Sequence, residues 1–196
     1  MLRSKKGLIS VQTDEELIAS IINGQVSAFD ELYTRYHKRL LYYFYRMLGN
    51  NEQIAQDFMQ DIFFKIIDKP HLFDHRKKFS TWIFSIAHNM CKNEYRRNEV
   101  RKIILKTDNP DVFCMDVNEK TNHEKIIVAI FDELDLFDEN HKTAFLLKYR
   151  EGFSIEEISD TLNLPAGTVK SRLFYTRKKL QEILTGKYTE TIETLF

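Results

Sequence analysis

The stretch from Ser154 to Leu173 admits few folds. It reads Ser-Ile-Glu-Glu-Ile-Ser-Asp-Thr-Leu-Asn-Leu-Pro-Ala-Gly-Thr-Val-Lys-Ser-Arg-Leu. Ser154 with Glu157 three residues on makes a capping box, in which each side chain satisfies a free backbone N–H at a helix start. Ile155, Ile158 and Leu162 then share the inner face of a short helix. Asn163 stands where the turn needs a positive φ; Gly is commoner there, but Asn tolerates it. Pro165 and Thr168 open a second helix, with Val169, Leu173, Thr176 and Leu180 as its inward stripe. A short helix, a tight turn and a longer helix make a helix-turn-helix. The second helix exposes Lys170, Ser171, Arg172, Phe174, Tyr175, Arg177 and Lys178. Its N-terminal half suits a DNA major groove, with Lys170 and Ser171 at base edges. Arg177, Lys178 and Lys179 suit phosphates, which add affinity without sequence information.

Upstream, helical periodicity predicts a four-helix domain. Thr13 and Glu16 form another capping box, Leu17, Ile18, Ile21 and Ile22 make the stripe, and Gly24 ends the helix. A second helix spans about Ala28–Leu48, broken by Gly49-Asn50-Asn51. A third spans about Ile54–Asp68, with Ala55, Phe58, Met59, Ile62, Phe63, Ile66 and Ile67 as its core stripe. Pro70 stops it. A loop, Pro70–Lys78, leads to a fourth helix capped near Ser80 or Thr81. Its buried stripe is Phe79, Trp82, Ile83, Ile86 and Met90, and its other face carries Ser85, Asn89, Lys92, Asn93 and Arg96. Periodicity lapses over about Ile104–His123, which predicts a flexible linker between two domains. It resumes at Glu124 with Ile127, Ile130, Phe131, Leu134 and Phe137.

The expected architecture is therefore all-α: two small helical domains, residues 10–102 and 124–185, with a linker at 103–123 and a C-terminal tail at 186–196. The scarcity of Gly (6) and Pro (3) in 196 residues suits helices and disfavours a turn-rich β sandwich. Net charge is zero, yet its distribution is uneven. Arg76–Lys102 holds eight basic residues against Glu94 and Glu99, and Pro165–Leu184 holds five against Glu182. Between them Thr107–Glu139 holds ten acids against Lys120 and Lys125. Two basic blocks around an acidic one predict two anion-binding surfaces.

No apolar run approaches the roughly 18 residues that span a bilayer. The basic segment Met1–Gly7 has no apolar stretch after it, so no signal peptide is expected. Cys91 and Cys114 read as reduced thiols of a cytoplasmic protein. His71 and His75 have i,i+4 spacing but no third ligand nearby, so neither metal nor other cofactor is expected. Nor does a Gly-rich phosphate loop or a nucleophile elbow appear, and the chain reads as a non-enzyme without a small-molecule substrate.

The helix-turn-helix resembles region 4 of the sigma-70 family. The resemblance rests on Ser154–Leu162, on Pro165-x-Gly167-Thr168-Val169-Lys170-Ser171-Arg172 and on Arg177-Lys178-Lys179-Leu180. The N-terminal part resembles region 2. Ala28-Phe29-Asp30-Glu31-Leu32-Tyr33 is similar to the opening helix motif, Ile54–Phe63 to the polymerase-binding helix and Phe79–Asn89 to the promoter-melting helix. The likeness covers about Asp14–Lys102 and Phe131–Leu184, in order, with no region 1.1 or 3 between. That layout resembles the extracytoplasmic-function (ECF) group.

The resemblance implies a protein that binds core RNA polymerase and directs initiation at particular promoters. It assigns Asp57, Gln60, Asp61 and Phe64, one stripe on the third helix, to the clamp helices of the polymerase's largest subunit. Phe73, Asn89, Lys92, Asn93, Arg96 and Arg97 fall to the −10 element, with Arg101 and Lys102 on the duplex just upstream. Lys170, Ser171, Arg172, Phe174, Tyr175, Arg177 and Lys178 fall to the −35 element. In the family, the loop before the melting helix captures a nucleotide flipped from the −10 element. Phe73 has two roles open to it there, as a ring beside that base or as the loop's anchor in the core. An anti-sigma factor is a further partner implied. The competing expectation is a helix-turn-helix regulator that binds duplex DNA without polymerase. It explains Ser154–Leu184 but not the stripe through Asp57 and Phe64.

Overall fold

The computed structural model describes residues 12–105 and 129–185, excluding the side chains of 102–105 and 185. The chain divides into two compact units, Met1–Leu105 and Lys106–Phe196. Among the described residues all regular structure is helical.

The first unit is built from α1 (Asp14–Ile22), α2 (Val26–Met47), α3 (Glu52–Asp68), a 3-10 turn (Pro70–Leu72) and α4 (Phe79–Leu105). Both halves of the first capping box form: Glu16 N–H donates to Thr13 Oγ1 at 3.2 Å, and Thr13 N–H to Glu16 Oε2 at 2.8 Å. The long α2 packs against α1, α3 and α4. It buries Leu32, Tyr36, Leu40, Tyr43, Phe44 and Met47, a stripe at three- and four-residue steps that winds along one face. Gly49 (φ 72°) and Asn50 (φ 59°) are both left-handed, which reverses the chain within three residues. Asn51 then caps α3 by accepting from Ile54 N–H at 3.0 Å. Within α3, Ala55, Met59, Ile62, Phe63 and Ile66 are buried as the periodicity predicts. Ile67 departs from it: placed in the core stripe by spacing, it is 48% exposed.

Two expectations for α4 are corrected. It begins at Phe79, before Ser80 and Thr81, and the Phe79 N–H donates to Glu15 Oε1 of α1 at 2.8 Å. A partner 64 residues away cannot be read from local spacing. The buried stripe also lies about one residue step further round the helix. Phe79, Ile83, Phe84, Ala87, His88 and Cys91 are buried, while Trp82, Ile86 and Met90 are half-buried. Large side chains dominate the expected pattern, so the small Ala87 and Cys91 and the polar His88 are not read from it as core residues. Phe84 stacks edge-on against Tyr43 at 5.5 Å. Burial pushes the Cys91 thiol well up from its usual range, so it stays neutral. The last turns of α4 run through Leu105, past Lys102 and Ile104, where the first domain and the linker were expected to meet.

In the second unit residues 129–133 are helical and pass into a 3-10 turn, Leu134–Leu136. Then come α5 (Glu139–Tyr149), α6 (Ile155–Leu162) and α7 (Ala166–Thr185), which pack on one another. Ile130, Phe131 and Leu134 are buried as expected, but the helix gives way before Phe137, which is only half-buried. Periodicity does not reveal α5, because six consecutive residues, Lys142–Leu147, are buried and leave no polar face. Its start is marked instead by Asp138, which accepts from the N–H groups of Asn140 (2.9 Å) and His141 (3.0 Å). Lys142 is carried into the core by an ion pair to Asp135 at 2.7 Å. Cys114, the start of the helix expected at Glu124, most of the expected linker and the tail at 186–196 lie outside the described residues.

Candidate DNA and polymerase surfaces

The helix-turn-helix follows from its residues one by one. Ser154 Oγ accepts from Glu157 N–H at 3.1 Å, and Ser154 N–H donates to Glu157 Oε2 at 2.7 Å. The cap of α6 is Asn163 in the left-handed region (φ 53°, ψ 50°). The Ser159 hydroxyl donates to the Leu164 carbonyl and ties off the turn. Pro165 precedes the first turn of α7, its carbonyl accepting from Thr168 and Val169. Val169, Leu173, Thr176, Leu180 and Leu184 are all buried, so α7 has one committed face.

At 100° per residue the opposite side of α7 resolves into three strips. Ser171, Phe174, Tyr175 and Lys178 are exposed along the middle, with Phe174 54% and Tyr175 63% exposed. Lys170 and the half-buried Arg177 lie on one flank; the half-buried Arg172 and exposed Lys179 lie on the other. Aromatic rings thus sit between two rows of cations. The Ser171 hydroxyl donates to the Gly167 carbonyl at 3.0 Å, so what it offers outward is an acceptor.

In the first unit the free face of α4 carries half-buried Trp82, Ser85, Ile86 and Lys92 beside exposed Asn89, Asn93 and Arg96. It lies opposite the buried stripe, so one side of the helix is core and the other is polar, cationic and partly aromatic. Arg97 is exposed and paired with Glu94 at 3.1 Å; Arg101 is exposed, and the Lys102 side chain lies outside the described residues.

Phe73 is 3% exposed, with ring centroids 5.7 Å from Phe79 and 5.3 Å from Trp82. Of the two roles open to it, a ring enclosed on several sides fits the loop's core anchor better than a ring offered to a base. What the loop exposes instead is Leu72, 62% exposed, with His71, His75 and Arg76. Asp74 binds the Arg76 guanidinium through both oxygens at 2.9 Å and also accepts from the Arg76 N–H at 3.1 Å. Those bonds hold the Asp74 carboxyl at about 2, below the usual range.

On α3, Asp57, Gln60, Asp61 and Phe64 are all exposed, Phe64 by 67%. Ile54 (38%) and Ile67 (48%) are exposed three residues beyond each end, so the stripe is longer and more apolar than predicted. The spacing itself was the available signal, since Ile54 and Ile67 continue the same three-residue step. Among the described residues no group of three His, Cys, Asp or Glu side chains could hold a metal ion.

All-helical among its described residues, with a helix-turn-helix in one unit and a basic helix face in the other, the chain has the makeup of a nucleic-acid-binding protein. Two families of pattern match it: Sigma-70 region 2 over residues 32–101, and Sigma-70 region 4 over residues 137–180. The ECF RNA polymerase sigma-E factor of Haemophilus influenzae is 30% identical over 179 residues, covering 86% of this chain and 94% of that protein. The ECF RNA polymerase sigma factor SigW of Bacillus subtilis is 28% identical over 177 residues, covering 85% and 94%. The fold is shared with the sigma factor RpoE of Bartonella quintana, solved in complex with the anti-sigma factor NepR. That match has a TM-score of 0.69 at 20% identity and covers 82% of this chain and 98% of RpoE. The chain belongs to the ECF group of the sigma-70 family of RNA polymerase sigma factors. As such it binds core RNA polymerase and directs promoter-specific initiation of transcription.

Proposed function

We propose that the two units divide the work of a sigma factor, residues 10–102 acting as region 2 and 124–185 as region 4. The linker follows the last turn of α4, which occupies the first three residues of the expected 103–123 span, and residues 186–196 are a tail. The face of α3 from Ile54 to Ile67 docks on core polymerase. Its mixture of carboxylates with an exposed Phe64 suits a protein partner: an aromatic held out in water gains from burial at an interface. The outward strips of α7 read the −35 element, with Lys170, Ser171, Arg172, Phe174 and Tyr175 toward bases and Arg177 and Lys178 toward phosphates. The free face of α4, with Asn89, Lys92, Asn93, Arg96 and Arg97, engages the −10 element. An unpaired base is received beside Leu72 and Trp82 rather than on Phe73.

The observation that carries this reading is the pairing of an exposed apolar-acidic helix face with two cationic ones. A regulator that binds duplex DNA alone has no use for the first. The protein acts by binding, with no catalytic chemistry of its own, and works in the cytoplasm, where its polymerase is. Among the described residues no helix is long and apolar enough to cross a membrane. The Bartonella RpoE structure supports an anti-sigma factor as a further partner.

A gel shift on promoter DNA with and without core polymerase tests the proposal. Specific binding is expected only with core. Equal binding by the chain alone identifies a conventional helix-turn-helix regulator.

A further inference from the structure

The melting helix of the proposed region 2 begins on a partner from the far end of the unit. Glu15 sits in the first turn of α1, and its Oε1 accepts from the Phe79 N–H at 2.8 Å. The first N–H groups of a helix have no partner within it, and a carboxylate placed there satisfies one of them while complementing the helix dipole. Glu15 is held for this task. Its neighbour Asp14 accepts from Arg35 Nη1 at 2.7 Å and from the Tyr36 hydroxyl. The Tyr36 ring in turn meets Phe79 edge-on at 5.2 Å. Asp14, Tyr36, Phe79 and Glu15 therefore form a closed circuit across α1, α2 and α4.

The circuit bears on the loop. Phe79 also packs on Phe73, the loop's buried anchor, at 5.7 Å. The other end of the loop, the 3-10 turn at Pro70–Leu72, packs on α1 as well. One short helix thus touches both ends of the segment that carries Leu72, His75 and Arg76.

We propose that Glu15 is a positioning residue for promoter opening: by capping α4 it fixes where the loop at 73–78 returns to the helix, and so where Leu72 and Trp82 meet an unpaired base. This rests on the assignment of that loop and α4 to the −10 element.

The test compares wild type, Glu15→Ala and Glu15→Gln as full chains assembled with core polymerase. Gln keeps a carbonyl oxygen that can accept from Phe79; Ala keeps none. Three quantities are measured: assembly with core, permanganate reactivity of −10 thymines on a duplex promoter, and amide exchange of the free chain. In Glu15→Ala, exchange around Phe79 is expected to accelerate about tenfold, the scale of a lost cap, while α2 and α3 amides hold. Opening is expected to slow by a similar factor with assembly unchanged, and Glu15→Gln is expected to lie within about twofold of wild type. Opening by Glu15→Ala at the wild-type rate overturns the proposal. So does a Glu15→Gln variant as slow as Ala, or loss of opening and assembly together with α2 and α3 exchanging faster. A wild-type holoenzyme that leaves −10 thymines unreactive removes the −10 assignment beneath the proposal, and the proposal with it.

Discussion

The rings of Phe73 and Trp82 lie 5.3 Å apart, centroid to centroid, yet only one is hidden: Phe73 is 3% exposed, whereas Trp82 is half-buried on the free face of α4. The contact separates a residue that builds the loop from those that the loop presents. Phe73→Ala leaves a cavity among Phe79, Trp82 and the loop backbone, and is expected to cost about 3–5 kcal/mol by denaturant unfolding. Leu72→Ala, at an exposed position, is expected to change stability by less than about 0.5 kcal/mol while weakening holoenzyme binding to DNA unpaired at the −10 element. Retained stability in Phe73→Ala would return that ring to the list of base contacts.

Asp138 ties its own helix start to His141, its carboxylate meeting the imidazole Nδ1 at 2.9 Å as well as two backbone N–H groups. Burial pushes this carboxyl's pKa up, but the His141 N–H, the His141 ring and the Asn140 N–H outweigh it, and the net direction is down. A carboxyl with a depressed folded pKa stabilises above its unfolded value and loses that contribution as the pH falls through the folded one. Asp138→Ala is therefore expected to cost about 1 kcal/mol near neutral pH. In a unit this small that lowers the melting temperature by roughly 4–8 °C. The gap between variant and wild type is expected to close as the pH drops below the carboxylate range. A gap that persists in acid would mean that Asp138 acts by packing rather than as a charged cap.

Removing Arg177 or Lys178 is expected to weaken promoter binding alike for all −35 sequences and to reduce the salt slope by about one unit each. Ser171→Ala and Lys170→Ala are expected to alter the preference among −35 variants. For Ser171 the change is confined to the loss of an acceptor, since its proton is already given to Gly167. Binding titrations across salt concentrations and a −35 variant panel separate the two classes. A uniform loss in Ser171→Ala would place that residue with the phosphate contacts.

Local chemistry made much of this legible. The capping boxes at Thr13 and Ser154, the left-handed Asn163 and the inward stripe of α7 involve residues within a few positions of each other, and the structure realises each. What was not legible depends on distant partners or on missing contrast. The start of α4 is set by Glu15, 64 residues away. Burial of Ala87, His88 and Cys91 in place of Trp82 and Met90 depends on which side of α4 the other helices of the unit cover, which residue size alone does not reveal. Without a polar face, α5 has no periodicity to detect. Phe73 was ambiguous because an aromatic beside a functional loop looks the same in sequence whether it faces a ligand or the core.

The exposed α3 face gives the most direct test of polymerase docking. Phe64 is 67% exposed and Ile67 48%, so truncating them leaves no cavity, and Phe64→Ala and Ile67→Ala are expected to fold with stability within about 0.5 kcal/mol of wild type. An aromatic that becomes a central contact in a protein interface is worth about 2 kcal/mol or more, which corresponds to a loss of roughly 30-fold in affinity for core. Asp61→Lys is expected to impair assembly as well, by placing a cation where the face carries Asp57 and Asp61. Both effects are measured as binding of labelled sigma chain to core polymerase in the absence of DNA. Unchanged affinity in Phe64→Ala and Asp61→Lys would exclude this face from the docking surface, since neither residue contributes enough to the fold for an altered structure to mask the result.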